Sequence, residues 1–414
     1  MSRHSYQLAD DARVCVAKAW TPAQVKESVE WGLEQWAERL PPLGARILIK
    51  PNLNNDLSAL VGNSSDLRVL CSLIEALQNR GYRDITVADG SNVGVHRRGI
   101  DTFSRLRIDR LQQRYGVKTL DLNHDGAVPV PLTGRSRPGI ANAVLDADFL
   151  ISVPKIKTHA EAGLSCALKN WVGICRGQDK REMHRDLGRN IMAINEVVRP
   201  DLIVVDALVG MEGNGPGDGE PVRLGHLMFS ADAFVNDVAA CRLVGMPVEQ
   251  VPYLVHAIEA GLVSQELLES SAVQIPLVKR IRAAPPRSRL AELSEARSLH
   301  WLKLAVRPLV DMPQVNQLAY KARIIQDRYS LQDDAIHGLR QLADKCDDCG
   351  ACAEVCPTHL PAAEIGVKTD PPDCIQCLYC WWACPSGALE LEGETGFLDA
   401  HARRYKAQVE ALCS

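Results

Sequence analysis

Apolar residues recur along this chain in two periods, and the alternation between them predicts the elements. After Thr21-Pro22, an N-cap with proline at the first helical position, Val25, Val29, Leu33, Trp36 and Leu40 return every three or four residues. This predicts a helix that stops before Pro41-Pro42. Ile47-Leu48-Ile49 is a short unbroken apolar run, closed by Lys50-Pro51-Asn52. The pair of patterns repeats: a helix over 65–79, a run at Ile85–Ala88 closed by Asp89-Gly90, a helix over 101–115 and a run over 117–122. Phe149–Val153, Leu202–Val205 and His226–Ser230 give further strands, with helices over 188–198 and 232–244. Strands that read as continuous apolar runs and alternate with helices predict an α/β fold, a mostly parallel sheet covered by helices.

The pattern changes near residue 279. Lys279, Arg280, Arg282, Arg287 and Arg289 crowd around Pro285-Pro286, and helical spacing then runs towards Ala343. Five segments follow from these shifts: a helical lead-in over 1–42, the α/β domain over 43–278, a basic and helical connector over 279–340, a small α+β module over 341–396 and a tail helix over 397–414.

The module is defined by its cysteines. Cys346-x2-Cys349-x2-Cys352-x3-Cys356-Pro357 is followed by Cys374-x2-Cys377-x2-Cys380-x3-Cys384-Pro385. This is the ligand run of a bacterial two-cluster ferredoxin, in which the fourth cysteine of each run ligates the other cluster. Cys346, Cys349, Cys352 and Cys384 are therefore assigned to one 4Fe–4S cluster, and Cys374, Cys377, Cys380 and Cys356 to the second. Zinc sites pair CxxC units in fours and leave the duplicated CxxCxxCxxxCP unexplained. Trp381 and Trp382, inside the second run, are expected to pack over a cluster or to form a docking face. The six remaining cysteines, Cys15, Cys71, Cys166, Cys175, Cys241 and Cys413, are scattered and expected to be buried thiols.

Charge adds one asymmetry. The whole chain carries a net −4, which gives no reason to expect nucleic acid as a partner. Residues 341–414 hold twelve Asp or Glu against five Lys or Arg. An acidic module of this kind is expected to dock on a basic surface, with the run Lys279–Arg289 as one candidate. No charged segment followed by an apolar core opens the chain, and no apolar run is long enough to span a bilayer, so a cytoplasmic protein is expected.

Polar residues close four of the predicted strands: Lys50 with Asn52, Asp89, Lys155 and Asp206. In open α/β sheets ligands bind beyond the carboxyl ends of the strands. The densest stretch holds Lys155, Lys157 and His159 in a predicted loop, with Lys169 and Asn170 near the end of a predicted helix over 162–172. Such a set suits an anionic small-molecule ligand, with Lys155, His159 and Lys169 as candidate catalytic groups that bind charge or supply protons. Lys50, Asp89, Lys157, Asn170, Asp206, Gly213 and Gly215 are the candidate ligand-binding residues, the two glycines because they let backbone approach a ligand closely.

The blocks ILIKPNL, DADFLISVPKIKTH, ALKNWVGI and MEGNGPGDGEP resemble the domain-of-unknown-function family numbered 362, over about residues 43–260. Members of that family often carry a ferredoxin module, and residues 341–392 resemble one at all eight ligand positions. The resemblance places Lys155, Lys157, His159, Lys169, Asn170 and Gly213–Gly219 on shared blocks without implying a reaction. Two functions are therefore expected in parallel. One is a reductase that passes electrons from a soluble donor through two 4Fe–4S clusters to an anionic substrate or cofactor. The other is a non-catalytic electron carrier or metallocentre assembly factor whose α/β domain binds a partner or ligand.

Overall fold

The computed structural model describes residues 2–285, 329–368, 371 and 373–413. Its strands are β1 (Arg3–Ala9), β2 (Ala12–Lys18), β3 (Ile47–Lys50), β4 (Ile85–Asp89), β5 (Lys118–Asp121), β6 (Ala127–Pro129), β7 (Gly139–Ala141), β8 (Phe149–Ser152), β9 (Lys155–His159), β10 (Gly163–Ser165), β11 (Leu202–Glu212), β12 (Glu220–Ser230), β13 (Ala335–Gln341) and β14 (Leu389–Glu394). Ten of them form one mixed sheet, in the order β1-β2-β12-β11-β8-β3-β4-β5, with β9 and β10 attached along β11. The pairings β8–β3, β3–β4, β4–β5, β11–β8 and β11–β9 are parallel; β12, β2 and β1 extend the sheet antiparallel. The fold is α/β, as the alternation of patterns predicts.

Side chains of each central strand alternate between two cores, the period-2 consequence of a pleated sheet covered on both faces. Ile47, Ile49, Leu202 and Val204 face the core that holds α1 (Pro22–Gln35) and α2 (Leu67–Asn79). Leu48, Ile203 and Val205 face the opposite core, with α3 (Leu187–Val197) and α4 (Ala233–Leu243). Both first-core helices start on side-chain caps. Thr21 and Gln24 form a capping box for α1, and Asp66 accepts from the Arg68 N–H at the start of α2.

Several boundaries differ from the expectation. The lead-in 1–42 is helical only in its second half. Its first half is the hairpin β1–β2, which joins the main sheet through β12. β1 is an edge strand whose residues are mostly exposed, so it has no alternating apolar signal to read. The helix expected over 101–115 breaks into Thr102–Arg105 and Asp109–Tyr115 around Arg107, whose φ is 60°. Lys155–His159 is a strand, not a loop, and 162–172 holds strand β10 and a single helical turn, Ala167–Asn170.

β13 and β14 pair antiparallel and bracket the two cysteine loops, and α5 (Leu398–Cys413) follows. The second cysteine loop and α5 share a core with the sheet: Ile375, Leu378, Tyr379, Trp382, Phe397 and Tyr405 pack in the same cluster as Leu60, Leu67 and Leu70. Basic residues of the α/β domain meet acidic residues at the end of the connector, Asp333 and Asp334, and in the module, Asp373. Arg105 pairs with Asp333 at 2.7 Å, Arg107 with Asp334, and Arg114 with Asp373 at 2.8 Å. Arg282 instead pairs with Glu212 at 2.9 Å within the α/β domain, and Lys279 and Arg280 are exposed. Arg287, Arg289 and the helical stretch of the connector lie outside the described residues. Among the described residues no helix is long and apolar enough to cross a membrane.

Candidate functional site

Two parallel strands of the sheet end in an ion pair. Lys50, the last residue of β3, lies 2.7 Å from Asp89, the last residue of β4, and both are buried. A second buried pair stands on the neighbouring strands: Lys155 opens β9 and its Nζ is 2.8 Å from Asp206 Oδ2 on β11. Asp206 therefore sits within a strand and not at its end, because β11 runs on to Glu212 after Pro154 has separated β8 from β9. Burial pushes Lys50 below and Asp206 above their ordinary ranges, each opposed by its partner. Burying two such charges is repaid only where the pairing is close and the remaining polar positions are filled.

Asparagines fill them. Asn170 Oδ1 accepts from Lys50 Nζ at 2.9 Å and from Asn52 Nδ2 at 3.1 Å, while its own Nδ2 donates to Lys50 O and Ser152 Oγ. Asn52 Oδ1 in turn accepts from Lys157 Nζ at 2.8 Å. The second acceptor for Lys157 is the Asn63 carbonyl, at 2.7 Å. Lys157 is thus a fully buried amine with two neutral acceptors and, among the described residues, no carboxylate. Burial holds it well below the usual lysine range, and Lys169 and Lys155 push it further down.

Lys169 is half-buried on the turn Ala167–Asn170 and lowered to about 8 by burial. No hydrogen-bond or ion-pair partner for its ammonium is present among the described residues. Asp237 holds this turn by accepting from the N–H groups of Ala167 and Leu168, and burial raises it to about 6. Gly173 is a glycine for a steric reason: a Cβ there would lie 2.3 Å from Asp89 Oδ1 and 2.7 Å from Lys50 Nζ.

His159 is the last residue of β9. Its Nδ1 accepts from the N–H groups of Glu161 and Ala162, so the ring fastens the turn between β9 and β10. Gly213 and Gly215 lie on the loop between β11 and β12, outside the ion pairs. The Gly213 carbonyl accepts from Thr158 Oγ1 at 2.9 Å and that of Gly215 from Ala160 N at 3.2 Å. The same loop accepts from Asn63 Nδ2 at the Pro216 carbonyl, which ties it to the residue that binds Lys157. Pattern reading missed Asp66, Arg68 and Lys180. The Asp66 N–H donates to Asp206 at 2.6 Å, and the Asp66 carboxylate, against the cost of burial, is held low by Arg68. Only the position of Asp66 just before an apolar-periodic helix could have marked it. Nothing in the pattern marks Lys180, which burial lowers to about 8.

In the module, the second cysteine run repeats the first 28 positions on, Cys346 at Cys374. Left-handed residues repeat with it: Asp348 and Gln376, Gly350 and Leu378, His359 and Gly387. These turns aim N–H groups at sulfur. Cys374 receives one from Gln376, Cys356 from Leu360 and Cys384 from Ala388, while Gln341 Nε2 serves Cys346. Donors directed at Cys346, Cys356, Cys374 and Cys384 suit thiolate ligands of an anionic cluster.

Residues 47–242 match the family described as a domain of unknown function, DUF362. The chain carries a DUF362 domain. Residues 342–360 and 367–390 match the 4Fe-4S binding domain, so the DUF362 domain is joined here to an iron–sulfur module. A thylakoid-associated protein of Synechocystis is 24% identical over 234 residues, 53% of this chain and 69% of its own. An uncharacterized protein of Methanothermobacter thermautotrophicus is 43% identical over 54 residues, 13% of this chain and 12% of its own. Among solved structures, the lactate racemase apoprotein of Thermoanaerobacterium thermosaccharolyticum aligns at 12% identity and a TM-score of 0.36, over 56% of this chain. A structural-genomics protein of Thermotoga maritima aligns at 12% and 0.28, over 49%. These matches span 57% and 53% of the two solved chains. The family description of the DUF362 domain carries no reaction, so function rests on the site.

Proposed function

We propose that the protein is an iron–sulfur reductase in which the lysine-rich edge of the DUF362 sheet takes a small anionic substrate or cofactor. The observation that carries this reading is a surplus of amines: buried Lys50 and Lys155 are paired with Asp89 and Asp206, whereas buried Lys157 and half-buried Lys169 have no carboxylate within ion-pair distance among the described residues, Glu161 acting on Lys169 from further away. A low-dielectric site with more amines than carboxylates either keeps an amine neutral or gains an anion, and Lys157 is the fully buried amine without a paired carboxylate among the described residues. Cys346, Cys349, Cys352 and Cys384 would hold one cluster, and Cys374, Cys377, Cys380 and Cys356 the other. The clusters supply one-electron transfer when bound. Lys157 and Lys169 would bind the anionic group and stabilise negative charge that grows on reduction. Asn52 and Asn170 would fix the direction of the lysine ammonium groups, and Lys155 would keep Asp206 neutralised.

Closure of the site favours a second reading. Lys157 is 1% exposed and already has two acceptors, which suits a carrier or assembly factor whose α/β domain is a rigid platform for a partner. One experiment separates the two. The full chain is purified without oxygen and its small-molecule content is read by native mass spectrometry, beside Lys157→Met. The reductase reading expects a retained anion that Lys157→Met releases, with cluster absorbance intact. An empty wild-type protein that captures another protein in its place supports the second reading and ends the first. Lys155→Ala is a poor test, because it leaves Asp206 buried and unpaired at a cost of about 3–5 kcal/mol.

A further inference from the structure

We propose that Tyr379 is the positioning residue that couples the cluster held by Cys374, Cys377, Cys380 and Cys356 to the Lys155–Asp206 pair. This rests on the proposed electron-transfer role of the clusters. Tyr379 stands between two ligands of that cluster and is buried, and its Oη accepts from the Leu67 N–H at 3.1 Å. Leu67 opens α2 and is bonded to Asp66, whose N–H donates to Asp206 Oδ2 at 2.6 Å. The same oxygen accepts from Lys155 Nζ at 2.8 Å. Every link from the cysteine loop to the lysine is thus a covalent bond or one hydrogen bond.

The internal repeat supplies an independent argument. The counterpart of Tyr379 in the first cysteine loop is Ala351, which occupies the same place after a left-handed residue. Holding a cluster therefore does not require a phenol there. The hydroxyl is explained by what it meets on α2. Beside it lies a cavity of about 20 Å³, lined by Cys377, Tyr379, Ser64 and Ser65 among others, with room for one water. Ser65 Oγ accepts from Asn52 N, so this cavity also borders the asparagine that binds Lys157. A one-electron reductant adds one negative charge to the cluster, with no bond made or broken at Tyr379. That charge is felt at Leu67 and Asp66 through the phenol.

The test uses the full chain with reconstituted clusters and the variant Tyr379→Phe, which keeps the ring and removes the hydroxyl. Iron and sulfide content are expected to be unchanged. In a dithionite titration followed by electron paramagnetic resonance, one cluster's midpoint potential is expected to shift while the other's stays. Asp206→Asn is expected to shift the same cluster, and to lose that effect in the Tyr379→Phe background. Potentials that stay fixed or move together, or an Asp206→Asn shift that is the same in both backgrounds, would overturn the proposal. If Asp206→Asn does not fold, amide exchange at Leu67 decides. It is expected to differ between oxidised and reduced wild-type protein, and to become about tenfold faster and redox-independent in Tyr379→Phe. A redox difference that persists in the variant refutes the coupling. None of these readouts needs a ligand, so an empty site would end the reductase reading and leave this result standing.

Discussion

Each position of the loop Cys346–Cys356 has a counterpart 28 residues on. The ligands and left-handed turns coincide, as do the N–H groups of Leu360 and Ala388 that reach Cys356 and Cys384, whereas the residues between the ligands do not. Asp347, Gly350, Ala351, Ala353 and Glu354 of the first loop become Ile375, Leu378, Tyr379, Trp381 and Trp382 of the second. Ile375, Leu378, Tyr379 and Trp382 are buried in the core shared with α1 and α2, while Asp347, Cys349 and Glu354 are exposed. Trp381 is half-buried, with Lys406 Nζ 5.3 Å from its ring. The shared backbone serves the cluster, and the differing side chains serve the surroundings. The first loop is the more open to water; the second, apart from exposed Cys374, packs against the α/β domain.

The comparison breaks most sharply at the ligands. Both Cys349→Ala and Cys377→Ala are expected to lower iron from about eight towards four per chain in anaerobically made protein. Only Cys377→Ala should also loosen the packing of its loop on α2, seen as faster proteolysis between the two domains. Full iron content in Cys349→Ala would refute the two-cluster assignment. Next in size is Trp382→Ala, expected to cost about 3–5 kcal/mol in urea unfolding, the usual loss for a large buried aromatic. Its counterpart Glu354→Ala should stay within about 0.5 kcal/mol. Equal costs would mean that the second loop is not fixed in the shared core.

The apolar runs that became β3, β4, β8 and β11 were legible because a strand buried on both faces leaves an uninterrupted hydrophobic signal. Lys155–His159 was not, since two lysines and a histidine in five residues read as a solvated loop. What makes it a strand is long-range: Asp206 neutralises Lys155, and Asn52 with the Asn63 carbonyl accept from Lys157. The same limit hid the partners within the site. Lys50 and Asp89 were each visible as the residue after an apolar run, but their pairing depends on β3 and β4 being neighbours in register. The eight cysteines lay in plain view, because their spacing is local. The face on which the module docks was hidden for the opposite reason: Arg105, Arg107 and Arg114 lie in a segment broken by the left-handed Arg107, far in sequence from the acidic residues they meet.

Leu378 and Gly350 test the two loops at one backbone conformation, φ 64° and φ 76°. A Cβ on Gly350 would meet nothing within 4 Å, so Gly350→Ala should cost only the strain of a left-handed alanine, about 1 kcal/mol. Leu378→Ala keeps its strain and loses a buried side chain, at about 2–3 kcal/mol. If Gly350→Ala is the more damaging of the two, packing on α2 is not what the second loop adds.

The smallest effect concerns charge. Arg114 and Asp373 form the most exposed of the ion pairs between the α/β domain and the cysteine module, with side chains 37% and 49% exposed. A pair of that kind contributes about 0–1 kcal/mol, and its attraction is screened within about 10 Å at 0.1 M salt. Arg114→Gln should therefore change stability by less than about 1 kcal/mol. Raising salt should remove even that difference while leaving the module docked, because Trp382, Tyr379 and Leu378 hold it through apolar contact. The measurement is small-angle scattering and limited proteolysis across a salt series. A module that swings free as salt rises would make its attachment electrostatic, and would reduce the difference between the two loops to which one is nearer the basic surface.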